Sequence, residues 1–96
     1  MPQINWTPSA LRDLRRLHDF LAESSPSAAQ RAIHTIRLGI NSLTQPPESG
    51  RPIEELLPGY RELVIGFGQS AYVALYRYDG KHLLILAIRH GREAGY

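Results

Sequence analysis

The chain has no cysteine, which excludes disulfide staples, a thiol nucleophile and thiolate metal sites, and leaves packing alone to hold the fold. Its four histidines, His18, His34, His82 and His90, have no histidine partner four residues away, and no acidic cluster offers ligand spacing, so no metal or other cofactor is expected. No run approaches the roughly 20 apolar residues that a membrane span needs. The opening Met1-Pro2-Gln3-Ile4-Asn5-Trp6 lacks a basic region followed by an apolar core, so no secretion signal is read there, and a soluble, cytoplasmic protein is the expectation. Ser, His and Asp are all present, but no nucleophile elbow links them. Gly66-Phe67-Gly68-Gln69-Ser70 lies between two β-rich runs, not before a helix, which excludes a phosphate-cradling loop. Lysine is nearly absent: Lys81 stands against ten arginines, in a chain of formal net charge +2. Arginine suits bidentate contact with carboxylate or phosphate, so the bias points weakly to a protein or nucleic-acid partner.

What is present is one domain, 1–96. The 96 residues, 43% hydrophobic and 21% charged, suit a single core of the usual size of about 100 residues. Gln3 to Trp6 alternates between prolines and reads as a short strand. Thr7-Pro8 starts a helix carrying Ala10, Leu11, Leu14, Leu17, Phe20 and Leu21 on one stripe, with Arg12, Asp13, Arg15, Arg16, Asp19 and Glu23 opposite. Ser24-Ser25-Pro26 starts a second, whose stripe Ala29, Ala32, Ile33, Ile36, Ile40 and Leu43 ends at Pro46-Pro47. So short a connection makes the helices an antiparallel hairpin.

Glu48 to Gly59 reads as a loop with at most a short turn at Glu54 to Leu57. Tyr60 to Ile65, Ala71 to Tyr78 and Leu83 to Arg89 read as strands, the last two joined by Asp79-Gly80 with both residues expected at positive φ. Leu83 to Ile88 is apolar without alternation, which places it inside the sheet with both faces covered: one by the helices, the other by the C-terminal tail or a partner chain. The expected architecture is α+β in the order βααβββ, a helical hairpin packed on a mainly antiparallel sheet.

Polar residues gather at the predicted strand ends: Arg61-Glu62, Arg77, and Arg89-His90-Gly91-Arg92. Brought together, such guanidinium groups and an imidazole grip a phosphate backbone or a protein surface, with His90 or Tyr96 able to move a proton. Alternatively they cap strand ends by pairing with Glu62, Glu93 and Asp79. The expectation is that Arg61, His90 and Arg92 are neighbours in space.

The element order, with Gly50-Arg51-Pro52 ahead of the sheet, Pro58-Gly59-Tyr60-Arg61-Glu62-Leu63 opening it, Tyr72-Val73-Ala74-Leu75-Tyr76-Arg77 within it and Ile88-Arg89-His90-Gly91-Arg92 closing it, resembles the RelE/ParE superfamily of toxins from bacterial toxin-antitoxin modules. The resemblance covers nearly the whole chain. It implies a cognate antitoxin, usually encoded beside the toxin, bound as a hetero-oligomer through an acidic or amphipathic C-terminal segment. RelE-like members cut messenger RNA on the ribosome with basic residues and a C-terminal tyrosine or histidine; ParE-like members poison DNA gyrase without that set. Here Ala71-Tyr72-Val73 stands where nucleases carry an arginine, and Leu63 occupies a position where a lysine is expected. Arg61, His90, Arg92 and Tyr96 are what remains for the nuclease alternative. The gyrase-poison reading leads, with no catalytic residue and with Arg61, Arg77, Arg89, His90 and Arg92 as target-binding groups; a decayed toxin that only binds antitoxin is the third reading.

Overall fold

The computed structural model describes residues 2–92, which run as one strand, two helices and four further strands. Strand β1 (Gln3–Trp6) leads into helix α1 (Pro8–Ala22) and helix α2 (Pro26–Asn41), which ends in a 3-10 turn at Ser42–Thr44. Strands β2 (Arg51–Pro52), β3 (Tyr60–Phe67), β4 (Ser70–Tyr78) and β5 (His82–His90) follow. Both helices start as the sequence signals: the Thr7 hydroxyl accepts from the Ala10 amide and the Ser25 hydroxyl from the Ala28 amide, each with proline at the first helical position. Among the described residues no helix is long and apolar enough to cross a membrane.

The sheet order is β1-β5-β4-β3-β2, with β1 parallel to β5 and every other pair antiparallel. Helices α1 and α2 pack on one face, where Leu14, Leu17, Ile36 and Ile40 meet Ile65, Tyr76, Leu83, Ile85 and Ile88. The α+β expectation holds, with β2 added inside the segment read as a loop. Two residues are too few for a periodic signal, and Arg51 pairs with Glu62 through a long-range contact.

The unbroken apolar run of β5 contains a bulge. Tyr76 faces Ile85 while Leu75 faces Ala87, so Leu86 is an extra residue in a bulge and the alternation changes phase there. Leu83 and Ile85 face the helices before it, Ile88 after it. On the other face Leu84 and Leu86 are half-buried, and Val64 is 62% exposed. Leu75 and Ala87 on that face are buried, and the C-terminal tail expected as one possible cover, 93–96, lies outside the described residues. The β4–β5 turn also differs from expectation: Gly80 alone has positive φ, at 96°, and Asp79 instead turns its carboxylate onto the amides of His82 and Lys81. Those two bonds, the His82 amide first, lower the Asp79 carboxyl from 3.8 to about 2.

Tyr76 anchors the loop that precedes the sheet. Fully buried, its hydroxyl donates to the Pro47 carbonyl and accepts from the Gly50 amide, both at 2.9 Å. Burial pushes its pKa up, so it stays protonated. Gly50 is required by this approach, since a Cβ there would stand 2.5 Å from the tyrosine oxygen. Tyr76→Phe should cost about 1–3 kcal/mol, because it leaves an amide and a carbonyl without their partner. Gly50→Ala should also destabilise, and because the two act through one contact, the double variant should lose less than the sum of the singles. Denaturant midpoints check this; strict additivity would mean that Gly50 and Tyr76 do not act together.

Candidate functional site

The residues singled out at strand ends fall into separate places. Arg61 faces Tyr76 in register, and its guanidinium donates to the carbonyls of Gly50 (2.8 Å) and Glu48 (3.1 Å) and lies 3.5 Å from the Glu48 carboxylate. It is a strut for the 48–50 loop. Arg77 sits at the same end of the sheet but on the opposite face, beside Leu84, with its guanidinium 6.0 Å from the Tyr60 ring centroid.

Arg89 is tied to the helical layer. Beyond β1's last pairing at Ile85, the outer edge of β5 has no strand partner among the described residues, and the Asp13 carboxylate of α1 accepts there from the Ile88 amide at 3.0 Å and from the Arg89 guanidinium. Asp13, read from the sequence as part of the solvated face of α1, is only 13% exposed in its side chain and lies 3.9 Å from Arg16 as well.

His90 and Arg92 do come together, at the end of β5. The His90 ring meets Tyr72 edge-on at 5.5 Å, and its Nδ1 accepts from the Arg92 amide at 3.2 Å, which places the proton of a neutral ring on Nε2. Burial raises the Tyr72 pKa, so its phenol is neutral near pH 7. Both residues line a cleft of about 840 Å³ between α1, the β3–β4 turn and the end of β5. Leu17, Leu21 and Phe67 supply its apolar wall, Phe20, 73% exposed, its lip, and Arg16 a second guanidinium.

Arg61 is not part of this cleft. The register places it four residues along the sheet from the level of His90 and two strands away, about 13 Å along and about 10 Å across. The expected convergence of Arg61 with His90 and Arg92 is therefore not met: β3 and β5 carry them at opposite ends. Tyr96 and Glu93 lie outside the described residues. Arg16 and Phe20 are the site residues the sequence reading missed, one assigned to solvent and the other to the core. Among the described residues no group of three His, Asp or Glu side chains is placed to hold a metal ion. The cleft can present two guanidiniums and an imidazole beside aromatic surface, an arrangement suited to gripping an anionic or aromatic group.

A family model described as the ParE toxin of the type II toxin-antitoxin system parDE matches residues 4–95. Two Caulobacter vibrioides proteins are similar: toxin RelE1, 42% identical over 84 residues covering 88% of this chain and 87% of that one, and toxin RelE3, 37% identical over 93 residues covering 97% and 98%. Among solved structures, the chromosomal ParDE system from P. aeruginosa superposes with a TM-score of 0.75 at 30% identity, covering 94% of this chain and 96% of that one. The RelBE2 toxin-antitoxin complex from Mycobacterium tuberculosis shares the fold, with a TM-score of 0.61 at 24% identity over 94% and 99% of the two chains.

The Asp13 clamp is testable. Asp13→Ala removes the acceptor of the Ile88 amide and should cost about 1–3 kcal/mol, with Asp13→Asn milder because an oxygen remains to accept. Amide hydrogen exchange at Ile88 should quicken in the alanine variant; an unchanged rate would mean that the bond is not made in solution.

Proposed function

We propose that this chain, which belongs to the ParE toxin family of type II toxin-antitoxin systems within the RelE/ParE superfamily, acts by binding DNA gyrase and not by cutting RNA. What carries this reading is the dispersal of the basic set. A nuclease must aim several donors and an acid-base group at one phosphate, because stabilisation depends on preorganised groups meeting where charge develops. Here Arg61 is spent on two loop carbonyls and Arg89 on Asp13, while His90 and Arg92 share a cleft with only one imidazole among its lining residues. A binding surface has no such requirement. His90, Arg92 and Arg16 offer cationic contacts beside the aromatic side chains of Phe20 and Tyr72, the residue types that anchor interfaces. Arg77 adds a cation on the opposite face, and Arg61 and Arg89 serve mainly to hold the sheet's borders.

The purified chain should inhibit gyrase supercoiling and trap cleaved DNA, and Arg92→Ala should weaken that inhibition by about tenfold, the effect of losing one well-placed interface contact. Gyrase that runs unaffected at large toxin excess, together with transcripts cut in a translating extract, would transfer the function to the nuclease reading, with Arg92, His90 and Tyr96 as its groups.

The same family membership supports an antitoxin partner, and the sheet face turned away from the helices is the surface we assign to it. Half-buried Leu84 and Leu86 and exposed Val64 lie there beside buried Leu75 and Ala87, an apolar patch suited to binding an amphipathic segment. Burial of that segment is coupled to its folding, so the affinity reflects the apolar contact area net of the ordering cost. Leu84→Asp, a change at a half-buried position outside the helix-side core, should weaken the cognate antitoxin complex by about 2 kcal/mol or more in calorimetry. An unaltered affinity would place the antitoxin on another surface.

A further inference from the structure

Arg89 leaves the sheet on one face and ends on the other. In register it stands opposite Val73, as Ala87 stands opposite Leu75, so its side chain starts on the face turned away from the helices. Its neighbours belong to the helix side, where Ile88 joins the core and His90 stands opposite Tyr72. The guanidinium nevertheless reaches round the edge of β5 beyond the end of β1, where it donates to Asp13 Oδ2 and, at 3.1 Å, to the Ile88 carbonyl. The second oxygen of the same carboxylate, Oδ1, is 3.9 Å from the Arg16 guanidinium, and Arg16 lines the cleft. Asp13 is thus shared by two guanidiniums that serve different surfaces.

The side chain of Asp13 is 13% exposed, against 26% for Arg89 and 48% for Arg16. A carboxylate so shielded from water depends on its cations, and removing one strengthens its attraction for the other. Arg16 has room to respond, since a direct charge-assisted bond closes to about 2.8 Å.

We infer that Asp13 is a positioning residue that couples the cleft to the far face of the sheet. A carboxylate of a partner segment on that face draws Arg89 away from Asp13, and Asp13 then takes Arg16 from the cleft. Occupancy of the far face thereby lowers the affinity of the cleft for an anion. By reciprocity, an anion that holds Arg16 in the cleft leaves Asp13 to Arg89 and weakens binding at the far face. The Ile88 amide keeps its acceptor in both arrangements, so β5 stays in place while the guanidiniums exchange. The inference rests on the reading of the cleft as the target-binding site and of the far face as the antitoxin's, but the exchange at Asp13 is measured without either partner.

The test is NMR of the arginine Nε–H groups in the full chain, with inorganic pyrophosphate as the probe of the cleft. Arg89→Met keeps an apolar stem, removes the charge and so stands for Arg89 drawn away. In this variant the Arg16 Nε–H should exchange with water about threefold more slowly, and pyrophosphate, followed at the His90 and Arg92 amides, should bind about fivefold more weakly, the effect of one ion pair. Arg89→Lys, which keeps a cation, should stay within about twofold of the parent on both readouts. Asp13→Asn leaves an oxygen for the Ile88 amide but no charge, and adding Arg89→Met to it should move neither readout by more than about twofold. If Arg89→Met does not fold, Arg89→Gln takes its place with the same expectations. An Arg16 exchange rate that Arg89→Met leaves unchanged would overturn the inference. So would a fivefold loss of pyrophosphate affinity that persists in the Asp13→Asn background, because Arg89 would then act on the anion directly. Pyrophosphate that moves neither His90 nor Arg92 in the parent would remove the reading of the cleft as an anion site, and the Arg16 exchange rate would still decide the coupling.

Discussion

The carboxylate of Asp13 on the edge of β5 is the contact on which the candidate site depends. Strand β1 has four residues and reaches only to Ile85, so the rest of β5 would otherwise leave main-chain groups facing the helical layer without a partner. An unpaired, partly buried amide costs about as much as a lost hydrogen bond. Helix α1 resolves this by turning Asp13 to the Ile88 amide, and the same group engages Arg89 and stands near Arg16. One side chain thereby joins the helix that bears Arg16 and Phe20 to the strand that ends at His90, two residues before Arg92. The cleft lies between the two elements so joined and the β3–β4 turn.

Elements with strong local signals were legible in the sequence: β1, both helix starts, the three long strands and their antiparallel pairing all follow from caps, periodicity and turn residues. Features set by distant contacts were not. Strand β2 exists because Arg51 meets Glu62, and the bulge at Leu86 because four residues on β4 and β5 must keep facing the helices on either side of it. The bulge gives the Leu83 to Ile88 run a second source. A phase change in mid-strand and burial on both faces leave the same mark in sequence, an apolar run without alternation. The helix residues of the site carried a signal that stripe counting overlooks. At about 100° per residue, Ala10, Leu14, Leu17 and Leu21 share a narrow arc, whereas Leu11 and Phe20 lie about 80–100° to either side of it. Those two are the residues of the stripe found exposed, at 47% and 73%. Asp13 sat on the polar side of the same wheel, and only the course of β5 beneath it makes it a partner.

Family and target are separate questions for this fold. A ParE family model matches a chain whose curated relatives are named RelE, so the name alone does not choose between gyrase and messenger RNA. Side-chain economy does bear on the choice. A guanidinium has five donors, but once it has been drawn to carbonyls and a carboxylate at a loop, as Arg61 has, aiming it at a substrate phosphate requires those bonds to break first. Arg92, at the end of a strand and exposed, faces no such competition from its main-chain contact with His90, which uses the amide and leaves the guanidinium to other partners.

The two sheet edges differ in a way that packing does not require. Exposed edges with unpaired main-chain groups invite association, and folds usually blunt them with charge, proline or a covering segment. This chain does so twice: Asp13 covers the end of β5, and Pro52, which has no amide to offer, ends β2. At Val64 and Gly66 it does neither. Gly66 adds no side chain to shield its main chain, a Cβ there would meet nothing within 4 Å, and the β-branched Val64 favours an extended strand.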